Sequence, residues 1–199
     1  MDRFAAKLEQ KFKLKERDDV RYCMSYHITR NHNARELKID QHLYVESMVE
    51  KLDVKKGSKI PTTSGVPTFS KADEPWNPEK EEMRKFPYRQ AVGALMWTAT
   101  MRQPDIASKV RAVARFCKNP GRAHKKSVMK IMQYLLHTKN WWITYGRQGC
   151  GLCMQVNTDS NSGAVLMLSK GAISWYSRMQ EVTASGASEA EYVALSEAV

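Results

Sequence analysis

The sequence predicts an α+β fold, and three observations carry that prediction. Apolar residues alternate with period two from Val20 to Thr29 and again lie in short runs between Met154 and Tyr176. Between Phe86 and His137 they recur instead with a period near that of an α-helix. Short clusters of Gly, Pro, Asn and Ser separate these stretches. Period two marks half-buried strands, and the longer period marks amphipathic helices.

In the N-terminal part, Phe4, Leu8 and Phe12 share helical spacing and predict a short amphipathic helix. Val20, Tyr22, Met24, Tyr26 and Ile28 then fall on one face of a strand. Asn31-His-Asn33 is a turn signal and Leu37-Lys-Ile39 a second strand, so a two-stranded hairpin is expected. From Gln41 to Leu52, a helix places Leu43, Met48, Val49 and Leu52 together, with Val45 at its flank. Residues 57–82 carry four prolines and two glycines among many Ser and Thr, the composition of an extended crossing. The expected units are 1–56, a linker at 57–85, a helical region at 86–148 and a β-rich tail at 149–199.

The helical region divides into three. Val92, Leu95, Met96 and Ala99 form one apolar face, and Gly93 is read as a point of close helix packing. Pro104 followed by Asp105 opens a second helix, since proline suits the first helical position and an acid the first turn. Its inward residues are Ile106, Val110, Val113 and Phe116 or Cys117, and Asn119-Pro-Gly121 ends it. A third helix runs from about His124 to His137 with Val128, Ile131, Met132, Leu135 and Leu136 inward. Three helices with short joints predict a small bundle. The tail reads strand, hairpin, strand, helix, with Asp159 at the end of the first strand and Glu191 in the first turns of the helix.

Composition points to a polyanionic partner. The 199 residues hold 32 Lys and Arg against 21 acids, a formal net charge of +11. Each cation set against a phosphate releases condensed counterions, so such a surface favours nucleic acid. Arg102, Lys109, Arg111, Arg115, Lys118, Arg122, Lys125, Lys126, Lys130 and Lys139 are read as the outer faces of the helices. Trp141, Trp142 and Tyr145 follow, either stacking bases or packing the bundle against the tail; for at least one Trp the packing role is favoured. The four cysteines include Cys150-Gly-Leu-Cys153, but no second pair completes a zinc site, and His124 and His137 are too isolated to supply one. No apolar run reaches the ~18 residues of a membrane span and no signal peptide opens the chain, which fits an intracellular, reducing setting.

The tail motif GAISWYSRMQEVTASG followed by SEAEYVALSEA resembles the start of the ribonuclease H domain in Pol polyproteins of copia-type LTR retrotransposons. The stretch from Pro87 to Tyr145 is similar to the segment that joins polymerase to nuclease in those polyproteins. FKLKERDDVRYCMSYHITRN and LKIDQHLYVESMVEKLDV are similar to the end of the reverse transcriptase. The resemblance implies a reverse-transcriptase C-terminal remnant, a helical connection bundle and a truncated ribonuclease H-like βββα unit. It implies Mg²⁺ as cofactor, Asp159 and Glu191 as catalytic metal ligands, and an RNA–DNA hybrid as partner alongside the rest of a polyprotein. Glu189 is the rival to Glu191, and the second Glu of Glu-Ala-Glu-Tyr is the one that matches the family pattern.

The family places paired polymerase aspartates on a Tyr-x-Asp-Asp turn, which this sequence lacks; Asp18-Asp19 lies in a loop position instead. Thr158-Asp-Ser-Asn-Ser-Gly163 passes directly into the next apolar run, where the family carries a longer polar loop. Two carboxylates are few for two metal ions. The expectation is therefore a polyprotein fragment whose ancestral role was reverse transcription with hydrolysis of RNA in hybrids, inactive alone. The alternative is a non-catalytic basic nucleic-acid-binding module or a pseudogene product.

Overall fold

The computed structural model describes residues 11–12, 19–55, 57, 69, 83–146, 154–159 and 163–177, and within them the chain is α+β. One antiparallel sheet has the order β1 (Tyr22–Cys23), β2 (Tyr26–Asn31), β3 (Glu36–Asp40), β4 (Ile143–Gly146). A second contains β5 (Met154–Asp159), β6 (Gly163–Leu168) and β7 (Gly171–Ser177), also antiparallel. Between β3 and β4 the described residues form four helices: α1 (His42–Lys51), α2 (Tyr88–Met101), α3 (Pro104–Ala114) and α4 (Arg122–Thr138).

The single strand expected from Val20 to Thr29 is two strands. Met24 and Ser25 take φ of 49° and 70°, and a two-residue turn folds β1 back on β2, pairing Cys23 with Tyr26. Positive φ at both central residues is the geometry whose twist matches a hairpin. Neither residue is Gly or Asn, so the turn leaves no compositional signal. The β2–β3 hairpin forms as expected, with Ile28 opposite Ile39 and Asn31 Oδ1 accepting the Ala34 N–H at 3.0 Å. The strand β4 extends it, setting Leu37 opposite Tyr145 and Ile39 opposite Ile143.

One apolar core runs through all four helices. From α1 it takes Val45, Met48 and Val49, while Leu43 is about half exposed, so the helix is rotated from its expected phase. From α2 it takes Tyr88, Ala91, Val92, Leu95 and Ala99, with Met96 outside. The expected stripes of α3 (Ile106, Val110, Val113) and α4 (Val128, Ile131, Met132, Leu135) are buried. Phe69 also lies in this core, its ring 5.7 Å from that of Phe116, so the proline-rich crossing supplies a packing residue as well as a span. The expected N-terminal helix, Cys150, Cys153 and the tail helix lie outside the described residues, apart from Phe12, which is exposed.

Gly93 does not mediate helix packing. It is exposed, and a Cβ built there meets nothing within 4 Å. A mid-helix glycine in open space has only the backbone-entropy cost. Gly93→Ala is therefore expected to stabilise the chain by about 0.5–1 kcal/mol, read as a higher urea midpoint at unchanged m-value.

The two sheets abut through β4 and the β6–β7 hairpin. The Gly146 N–H donates to Ser169 O at 3.0 Å, and the Tyr145 hydroxyl donates to Ala172 O at 2.6 Å. The strand β7 is also tied to the helices: Trp175 Nε1–H donates to Ala99 O at 2.6 Å, and Arg111 donates to Ser177 O at 2.5 Å. The first two bonds join the sheets to each other, and the last two hold the second sheet against the helical core.

Candidate functional site

The predicted acid pair is only half placed. Asp159 is the last residue of β5 and stands opposite Gly163 at the start of β6. The short Thr158–Gly163 connection therefore still supports an antiparallel pair, and the backbone puts Asp159 at a strand end. Glu191 and Glu189 lie outside the described residues, so no geometry joins either to Asp159.

The basic surface is narrower than the residue count suggests. Arg102 does not belong to it: at 3% exposure it is buried at the C-terminus of α2, and its guanidinium donates to Trp141 O. Burial pushes its pKa down, opposed by the carboxylates of Asp40 and Asp105. Its Nε and Nη2 have no hydrogen-bond partner among the described residues. Lys139 is committed to Glu46 at 2.5 Å. Along α4, Arg122, Lys125, Lys126 and Lys130 line one groove with Met129 and Gln133, and Lys125 also lies 4.9 Å over the Phe86 ring. The first turn of α4 carries no acid. A helix N-terminus is already electropositive, so these cations add to a field that an anion relieves.

Trp141 and Trp142 are both more than half exposed, against the expectation that at least one would pack between the bundle and the tail. The packing role belongs to Trp175. Backbone pairing accounts for the difference: β4 begins at Ile143, so the two preceding residues sit before the sheet with their rings outward. Lys38 lies over the Trp142 ring, 5.1 Å from its centroid, and Trp141 meets Tyr134 edge-on at 6.5 Å. Exposed indoles beside cations are suited to stacking nucleobases while following a backbone.

A third cluster was not singled out in the sequence. His27 on β2, Asp40 at the end of β3 and His42 at the start of α1 converge, with their nearest donor atoms all within 4.8 Å of one another. His27 Nδ1 is 3.0 Å from Asp40 Oδ2, while His42 Nδ1 bonds Asp40 Oδ1. The His42 backbone N–H donates to the same oxygen at 3.2 Å. Burial raises the Asp40 carboxyl, but the hydrogen bonds from His42 and His27 outweigh it and its pKa falls below the ordinary carboxylate value. The convergence comes from register, since His27 and Asp40 are direct cross-strand partners. Thirteen residues apart in sequence, they offer no short motif. Cys117, by contrast, has its thiol pushed up by burial, with Arg89 opposing the shift.

No family model matches the chain, and no solved structure matches it. The chain is 32% identical over 201 residues to the Retrovirus-related Pol polyprotein from transposon TNT 1-94 of Nicotiana tabacum, a match covering 96% of this chain and 15% of that protein. It is 25% identical over 211 residues to the Putative transposon Ty5-1 protein YCL074W of Saccharomyces cerevisiae, covering 100% of this chain and 66% of that protein. It is also 32% identical over 126 residues to the Secreted RxLR effector protein 161 of Plasmopara viticola, covering 58% of this chain and 89% of that protein. The chain thus spans a small part of the tobacco polyprotein. Among the described residues no helix is long and apolar enough to cross a membrane.

Proposed function

Because the chain belongs to the retrotransposon Pol polyproteins, we propose that it handles the RNA–DNA hybrid of reverse transcription. In this reading, copia-type, residues up to β3 and α1 are the end of a reverse transcriptase, α2–α4 the connection, and β5–β7 the opening strands of a ribonuclease H-like βββα unit. The observation that carries the binding half is the groove of Arg122, Lys125, Lys126 and Lys130, which opens at the N-terminal turn of α4 and runs along the helix. A hybrid duplex is recognised by shape and phosphates, and a basic helix row needs nothing more specific to follow it. The exposed Trp141 and Trp142 extend the surface toward unpaired bases.

For the catalytic half, the support is the antiparallel order β5-β6-β7 with Asp159 at a strand end. The strand-end carboxylate of Asp159 together with that of Glu191, which the sequence alone assigns to a helix, would hold Mg²⁺, which supplies Lewis-acid stabilisation of the phosphodiester in RNA hydrolysis. Asp159 and Glu191 are only two such groups, and the proposal is that the 199-residue chain alone binds hybrid and cleaves it weakly or not at all.

The test is a paired binding and cleavage measurement with a labelled RNA–DNA hybrid in Mg²⁺. Binding is expected to weaken linearly in log Kd with log salt, and the Lys125→Gln, Lys126→Gln, Lys130→Gln triple variant is expected to flatten that slope by about two to three units. Any residual cleavage should vanish in Asp159→Asn with binding unchanged. A salt slope near zero, or one untouched by the triple variant, removes the groove from the reading. Vigorous Mg²⁺-dependent cleavage that survives Asp159→Asn removes the assignment of that carboxylate.

A further inference from the structure

Distinct from the proposed Mg²⁺ carboxylates, we propose that His27, Asp40 and His42 form a Zn²⁺ site, with the two Nδ1 atoms and one Asp40 oxygen as ligands and solvent in the fourth position. Four observations support it. The donor atoms already converge, all within 4.8 Å, and the His27–Asp40 approach is 3.0 Å. Tetrahedral bonds of about 2.0–2.2 Å place ligand atoms about 3.4 Å apart, so the ligands need only small shifts to receive the ion. The three side chains come from three elements whose mutual placement is set by other contacts. Register pins His27 opposite Asp40, and the β2 strand is tied to α2 by the Tyr26 hydroxyl donating to Met101 O at 2.8 Å.

Chemistry selects the ion. Two imidazoles with one carboxylate suit Zn²⁺ and its neighbours in the transition series, whereas Mg²⁺ takes oxygen ligands. Without metal, each imidazole gives its Nδ1–H to the Asp40 carboxylate; to bind Zn²⁺ through Nδ1 each ring carries its proton on Nε2 instead and stays neutral. All three residues are only partly buried, which leaves the fourth coordination position open to water. Arg102 is the nearby charge opposing a dication, since its electrostatic influence reaches Asp40; it makes the site weaker than a closed four-ligand one without removing a ligand. Occupied, the ion would clip the β2–β3 hairpin to the start of α1, the junction where the sheet hands over to the helical core.

The test titrates Zn²⁺ into the full chain by calorimetry under reducing conditions, with the unfolding midpoint followed in parallel. To exclude the Cys150–Cys153 pair, the measurement uses the Cys150→Ser, Cys153→Ser background. One equivalent is expected to bind, to raise the midpoint, and to resist displacement by excess Mg²⁺. Loss of an outer partner of a metal ligand commonly weakens affinity by about 10–100-fold, so loss of a ligand should cost at least about tenfold in His27→Gln and in His42→Gln. His32→Gln, a histidine that pairs with Asp19 on an exposed turn, should leave binding unchanged. Far-UV circular dichroism checks that the variants fold. Absence of saturable binding overturns the proposal, as does binding that persists in the His27→Gln, His42→Gln double variant or that Mg²⁺ displaces.

Discussion

His124→Ala is expected to lower folding stability by about 3–4 kcal/mol. The side chain is fully buried and packs against two aromatic rings. It stacks on Phe116 with centroids 4.1 Å apart and planes at 17°, and meets Phe69 at 4.4 Å. Deleting the ring removes both ring contacts and leaves a cavity, and large-to-small changes in a packed core cost about 2–5 kcal/mol. The ring also caps a helix. His124 is the third residue of α4, and its Nδ1 accepts the Gly121 backbone N–H at 2.9 Å, satisfying the N-cap donor. That bond contributes about 1 kcal/mol. His124→Phe separates the two effects, because it keeps a stacked aromatic ring while removing the nitrogen that accepts the Gly121 N–H. It should cost about 1 kcal/mol where the alanine variant costs three or four times as much. Urea titrations of both variants make the comparison, and equal losses would show that the ring's packing contributes nothing beyond the cap.

The residue also shows where sequence reading stops. In the sequence His124 is an isolated imidazole weighed as a zinc ligand; in the fold it is a core ring, and what places it there is Phe69, fifty-five positions upstream in a proline-rich stretch. Features that depend on one element's own periodicity were legible: the stripes of α3 and α4, the proline that opens α3, the β2–β3 turn at Asn31. Features that depend on a distant partner were not. Nothing local announces that Ile143–Gly146 pairs with β3, that Leu43 rather than Val45 faces outward, or that Arg102 turns inward to the Trp141 carbonyl while its neighbours in charge stay at the surface. The candidate sites divide the same way. Asp159 was readable as a strand-end acid because an apolar run stops there, and its pairing with Gly163 shows the strand. The His27–Asp40–His42 cluster was unreadable because its members meet only through cross-strand register and a helix start. A histidine and an acid on adjacent strands equidistant from their turn is the signal that could have found it, provided the register is counted from the correct turn.

Register and turn also decide the second large effect, Gly171→Val, which is expected to destabilise the chain by about 3 kcal/mol, and Gly171→Ala by about 2 kcal/mol. Gly171 opens β7 directly after Ser169 and Lys170, whose φ of 49° and 71° make the tight turn from β6. A Cβ there would stand 2.4 Å from both Cδ1 and Cε1 of Tyr145 and 3.0 Å from the Thr144 carbonyl oxygen. The first contact is far inside van der Waals range. Tyr145 cannot simply swing away, because its backbone is paired with Leu37 in the first sheet and its hydroxyl donates to Ala172 O at 2.6 Å. The substitution therefore either pushes the ring out, losing that hydrogen bond at about 1 kcal/mol, or separates β4 from the β6–β7 hairpin. Overpacking of this kind costs about 1–3 kcal/mol. A double-mutant cycle with Tyr145→Ala identifies the cause. If the ring is the obstacle, Gly171→Ala should cost much less in the Tyr145→Ala background, with a coupling of about 1 kcal/mol or more. If the cost is the same in both backgrounds, the Thr144 carbonyl is what the new methyl meets. If Gly171→Ala costs nothing in the parent chain, the two sheets do not abut there, and the second sheet is held to the helical core by Trp175 and Arg111 alone.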